Sequence, residues 1–222
     1  MSELSPRRYR LLVFDWDGTL ADSTAIIVDA IRRACADAGV RVPTPDEARH
    51  VIGLGLPDVL ALIAPGITPE ARKVLVESYR AYYFSHDDDI ALYEGVPALL
   101  ADLDVAGYRL AVATGKSRTG LERALRLSGL TERFDTTRCA DEGEPKPHPG
   151  MLIYVMQALA AKPAATLMIG DTTHDLDLAA NAGVDALAMS HGAHDQLTLA
   201  TRAPRAIVHS CAELRAWLSA EG

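Results

Sequence analysis

Several absences narrow the possibilities before any motif does. Three cysteines, Cys35, Cys139 and Cys211, are an odd number at wide spacings that match no metal or redox motif. That argues against a disulfide framework and fits a reducing compartment, with buried bystander thiols. No apolar run approaches the roughly 18 residues that a membrane span needs, and the polar, basic opening MSELSPRRYR has no apolar segment behind it. A soluble cytoplasmic protein without a membrane partner is therefore expected. A basic excess is missing too: the net charge is −8, whereas nucleic-acid binders carry a stripe of positive charge, so no nucleic-acid partner is expected. A small anionic ligand stays compatible, because a few local donors and a metal outweigh the global sign. Neither an internal repeat nor a low-complexity linker is present. With 222 residues, 49% hydrophobic and 23% charged, the chain can bury a sizeable core.

What is present is a series of short apolar runs that end in polar residues: LLVF before Asp15, RLAVAT ending at Thr114, TLMIG before Asp171, then ALAMS and RAIVH. Runs of that length, separated by helical periodicity, predict buried parallel strands with helical crossovers. The helices expected are VPALLADLDVAGY with Gly107 at its end, SRTGLERALRLSG between Ser117 and Gly129, PGMLIYVMQALAA with Pro149 in its first turn, and HDLDLAANAG up to Gly183. Residues 22–88 break the alternation. They read as successive amphipathic helices with no strand between them, a helical insertion after the first strand. The fold class is thus α/β: a doubly wound parallel core over 1–21 and 89–222, with a small all-helical domain over 22–88 set above the strands' carboxyl ends.

Four polar stations fall at those ends: Asp15 and Asp17, Thr114, Lys146 in EPKPHPG, and Asp171 and Asp175 in GDTTHD. Two carboxylates one residue apart repel, so something must offset the cost. Asp171 could also serve as a helix N-cap. GKS at 115–117 imitates the end of a phosphate-binding P-loop, but the position for its first glycine is Leu110, so Lys116 is read as a solvated residue at a helix start. His191 and His194 lack further spaced ligands and read as loop histidines. His148 and His174 flank the stations, and Trp16 is assigned to the core. The turn Gly53 to Leu56 either shapes a pocket or joins two helices.

The ordered set DWDGTL, ATGKS, KPHP and GDTTHD, with a helical insert after the first motif, resembles the haloacid dehalogenase superfamily, and within it the phosphoglycolate phosphatase-like branch. The resemblance implies a Rossmann-like core with a helical cap, a Mg²⁺ cofactor and a phosphoaspartyl intermediate. Asp15 would be the nucleophile and Asp17 the general acid and then base. Mg²⁺ would be held by Asp15, the Asp17 carbonyl and Asp171, with Asp175 acting through a neighbour or a water. Gly18, Thr114, Gly115 and Lys146 would bind the phosphoryl group, Gly115 by its amide at a helix start, with prolines holding the Lys146 loop extended. The expected activity is hydrolysis of a small, phosphoglycolate-like phosphate ester. A β-phosphoglucomutase-type transferase is the alternative. Dehalogenation is disfavoured because Asp17 is present, and a receiver-type signalling module because it has neither a cap nor an acid placed like Asp17. Arg32, Arg49, His50 and Lys73 are the candidates for substrate selection.

Overall fold

The computed structural model describes residues 8–221, so most of the polar opening stretch lies outside the described residues. The core is a six-stranded parallel sheet: β1 (Leu11–Phe14), β2 (Arg109–Thr114), β3 (Thr136–Cys139), β4 (Thr166–Gly170), β5 (Asp185–Met189) and β6 (Ile207–Val208). Their spatial order is β3-β2-β1-β4-β5-β6, with Leu11 to Phe14 in register with Arg109 to Val112 on one side and Thr166 to Ile169 on the other. Because β1 is covered on both faces, its four residues are all apolar and all buried.

The side-chain alternation along β1 feeds two layers. Leu12 and Phe14 pack with Leu110, Val112 and Ile169 beneath α5 (Val96–Val105), α6 (Arg118–Ser128) and the helix Cys211–Glu221. Leu11 and Val13 pack with Ala111, Ala113 and Met168 beneath α7 (Gly150–Ala158) and α8 (Thr173–Asn181). Trp16 is buried in the first layer, edge-on to Phe134, as its core assignment required. The helix ends follow local chemistry. Ser117 accepts from the Gly120 amide at the start of α6, and Gly129 closes it in the left-handed region at φ 72°.

Between β1 and β2 the chain forms α1 (Thr24–Asp37), α2 (Pro45–His50), α3 (Leu56–Ile63) and α4 (Pro69–His86), with no named strand among them. They build their own apolar cluster around Ile27, Ile31, Val51, Leu60, Ile63 and Leu75. The chain leaves for this segment and returns from it side by side: Ala21 bridges Leu92, and the Asp22 and Tyr93 amides donate to the Ala91 and Leu20 carbonyls.

Three local expectations need correction. β3 went unread because its residues, Thr-Thr-Arg-Cys, form a polar, half-buried edge with no apolar run. Pro149 caps α7 instead of lying in its first turn, and the helix ends at Ala158. The Lys146 loop is a turn, not extended: the Lys146–Pro147 peptide is cis, and the His148 amide donates to the Pro145 carbonyl.

Candidate active site

Strand order reverses direction of growth at β1 and β4, and in open α/β sheets the crevice at that point is where ligands bind. Asp15 follows β1, Thr114 ends β2 and Asp171 follows β4. One oxygen from each of Asp15, Asp171 and Asp175 lies within 4.8 Å of the others, and all three carboxylates are buried. The buried Lys146 ammonium sits 2.6 Å from Asp175 Oδ1 and 2.9 Å from Asp15 Oδ1.

Each carboxylate is held differently. Asp171 accepts from Thr19 Oγ1 at 2.6 Å and from the Ala193 amide at 2.7 Å. Its oxygens occupy space that side chains would fill: a Cβ on Gly18 or Gly192 would stand about 2 Å from Asp171 Oδ2, so both positions require glycine. Gly18 also adopts φ 80°. Asp175 has both oxygens engaged, Oδ1 by Lys146 and Oδ2 by the Thr172 amide and hydroxyl. Thr172, not Asp171, is the N-cap of α8, forming a capping box with Asp175. Asp15 is the exception, for neither of its oxygens accepts an aligned hydrogen bond, although Lys146 lies close.

Crowding sets the electrostatics. Burial, opposed by Lys146 and reinforced by Asp175 and Asp17, pushes the Asp15 carboxyl up to about 7. Burial and the Asp175 and Asp15 charges push Asp171 upward as well. A hard divalent cation with oxygen ligands would relieve this excess of negative charge. The Asp15 carboxylate, which accepts no aligned hydrogen bond from the protein, and the all-carboxylate donor set fit one.

Asp17 lies apart from that cluster. It accepts from Ser23 Oγ at 2.8 Å and from Lys116 Nζ at 3.1 Å, and Lys116 in turn donates to Tyr83 Oη of α4 at 2.6 Å. Lys116 is therefore not solvated: its side chain is 7% exposed. Sequence reasoning missed it because the partner hydroxyl lies 33 residues upstream on a helix whose docking no local pattern reveals. Thr114 is buried, and its hydroxyl accepts from the Lys116 amide. Gly115 precedes the α6 cap by two residues, so its amide is not at the helix start. A Cβ there would lie 2.5 Å from the Gly53 carbonyl, which shows how closely the α2–α3 turn presses on the core.

That turn both joins two helices and lines a cavity of about 430 Å³ that opens beside Asp17 and Lys116. Arg32, Arg49, His50 and Lys73 do not line it; Arg72 and Arg80 of α4 do. His50 packs instead on His194, whose ring stacks on it at 4.9 Å, and its carbonyl meets Nε2 of both His174 and His194. His191 and His194 do lie in a loop, but as partnered, largely enclosed residues. His148 is exposed and accepts from the Gly150 amide.

The fold is thus an α/β parallel sheet whose switch point gathers carboxylates and a lysine. A sequence model of the haloacid dehalogenase-like hydrolase family matches residues 12–189, and the chain belongs to that family. It is 36% identical over 185 residues to the tyrosine-protein kinase PtkA of Mycobacterium tuberculosis, covering 82% of this chain and 62% of that one. The chain thus spans about three-fifths of that relative's length. It is 35% identical to "Probable phosphatase IndB" of Dickeya dadantii, over 92% of this chain and 91% of the relative. The crystal structure of a predicted phosphoglycolate phosphatase from Haemophilus somnus superposes with a TM-score of 0.85 at 24% identity, over 95% of this chain and 98% of that one. This last likeness supports the fold.

Proposed function

We propose that the chain is a Mg²⁺-dependent phosphatase of small phosphate monoesters, working through an aspartyl phosphate on Asp15. The observation that carries this reading is Asp15 itself, a buried carboxylate at the switch point that is paired with Lys146 at 2.9 Å and accepts no aligned hydrogen bond from the protein. Its membership of a hydrolase family and its likeness to IndB support the same class of reaction. Mg²⁺ would be held by Asp15, Asp171 and the Asp17 carbonyl, and when bound it supplies charge neutralisation at the phosphoryl oxygens.

Asp15 attacks phosphorus as the bond to the leaving oxygen breaks, and Asp17 gives that oxygen a proton. A water then attacks the aspartyl phosphate, Asp17 takes its proton, and the bond from phosphorus to Asp15 breaks to release inorganic phosphate. Lys146 offsets the nucleophile and the transferring group, while Asp175, with both oxygens occupied, positions Lys146. Thr114 and the backbone of Gly18 and Gly115 line the phosphoryl site. Asp17 is held by Lys116, and because Lys116 also holds Tyr83, the proton exchange is tied to α4.

Residues 22–88 act as a cap over the core of 1–21 and 89–222. Asp15 has no accessible surface, so substrate enters when the cap swings away about the paired connections at Ala21 and Leu92. The test is phosphate release from a panel including phosphoglycolate, with Mg²⁺ and with chelator. Turnover that needs the metal and is abolished in Asp15→Asn is expected. Isomerisation of a sugar phosphate without net phosphate release would replace the reading with the transferase.

A further inference from the structure

We propose that the cavity beside Asp17 is the leaving-group site and that it selects phosphate monoesters of an alcohol with an apolar, aryl-sized body. This rests on the phosphatase reading and adds the substrate class to it. At about 430 Å³ the cavity has the capacity of a site for a ligand of many heavy atoms, well beyond a two-carbon acid. Its lining includes Asp17, the proposed acid for the departing oxygen, together with Gly115 and Lys116.

Much of the remaining wall is apolar residues of the helical segment, with Ser117, Gly120, Ala140 and Asp141 of the core completing it. Ile27 and Ile31 come from α1, Val59 and Leu60 from α3, and Val76 and Tyr79 from α4. Tyr79 and Tyr83 stack with ring centroids 6.0 Å apart and planes 18° from parallel, offering the flat surface against which an aromatic ring packs. Burial pushes the Tyr79 phenol upward, so it meets the ligand uncharged.

The cations argue against a small polar acid. Lys116 is already engaged by Asp17 and Tyr83. The other two lining cations, Arg72 and Arg80, belong to exposed residues. A carboxylate-bearing leaving group no larger than glycolate would leave the isoleucine, valine and leucine walls wet and find no uncommitted buried cation. An apolar body removes those walls from water and needs none.

The experiment compares ethyl phosphate with 2-phenylethyl phosphate, whose alcohols are close in acidity, so that the chemical step is matched and the difference reads the pocket. Burying the phenyl ring should raise kcat/KM by about ten- to a hundredfold over the ethyl ester, and over phosphoglycolate as well. In Val76→Asp, which puts a charge on the half-buried wall, the phenylethyl-to-ethyl ratio should fall toward one. Independently, calorimetric titration with the non-hydrolysable 2-phenylethylphosphonate should give at least tenfold tighter binding than ethylphosphonate. Hydrolysis of both esters at similar kcat/KM, or a preference for phosphoglycolate, overturns the proposal and leaves the phosphatase standing. Tight, ring-dependent phosphonate binding with no hydrolysis of any ester supports the pocket and removes the phosphatase.

Discussion

Replacing Lys146 by Met tests whether one cation holds the carboxylate cluster together. The two side chains are similar in length, so the change removes charge with little loss of volume. Lys146, Asp15 and Asp175 have side chains no more than 1% exposed, and Asp171 lies in the same group. Without the ammonium, three buried carboxylates face one another uncompensated. Breaking a buried pair by removing one partner costs about 3–5 kcal/mol. For a chain of this size each kcal/mol moves Tm by about 2–4 °C, so the expected drop is about 6–20 °C. The assay is thermal unfolding with a chelator present, so that no cation substitutes. Adding Mg²⁺ should recover part of the loss by binding the folded state. Lys146→Met/Asp175→Asn, which removes one carboxylate as well, should be more stable than the single variant, a non-additivity expected of groups in contact. A single variant melting within 2 °C of the wild type in chelator would refute the reasoning.

Three further outcomes are expected. Lys116→Met should lower Tm by about 6–12 °C, from a loss of about 3 kcal/mol, because it strands Asp17; Tyr83→Phe, which keeps the ion pair and loses only a hydroxyl, should cost about 1 kcal/mol, and equal losses by thermal melting would count against that ranking. Burial lowers the His191 imidazole below its ordinary range, so the fold holds it neutral against Tyr93 and the Thr19 carbonyl. The unfolded chain then takes up the proton first as pH falls below about 6.5, so this contribution is present above that pH and is lost on acidification toward the folded value. Denaturant titrations at pH 7.5 and 5.5 should show a larger loss for wild type than for His191→Gln. Finally, all three thiols are buried, with Cys139 pushed up to about 12, so native protein should resist maleimide labelling at pH 7.5 and take up three labels after denaturation.

The sequence by itself determined the parallel core and which carboxylates and lysine gather at its carboxyl edge. Both are written in short-range chemistry: a strand buried on both faces must be apolar throughout, so LLVF, RLAVAT and TLMIG announce themselves, and the polar residue that ends each one marks the carboxyl edge. Asp15, Thr114 and Asp171 follow from that rule, and the helices of residues 22–88 follow from periodicity and caps such as Thr44 and Thr68. Tertiary structure decided what depends on residues far apart meeting. β3 is a strand only because β2 lies beside it, since its own residues carry no apolar signal. Lys116 became a buried partner of Asp17 because α4 delivers Tyr83 to it. Gly18 and Gly192, more than 170 residues apart, became necessary because the Asp171 carboxylate fills the space beside both. The apolar cavity was unreadable for the same reason: an isoleucine on an amphipathic helix looks identical whether its face meets another helix or a ligand, and only the docked arrangement of α1, α3 and α4 leaves that space open.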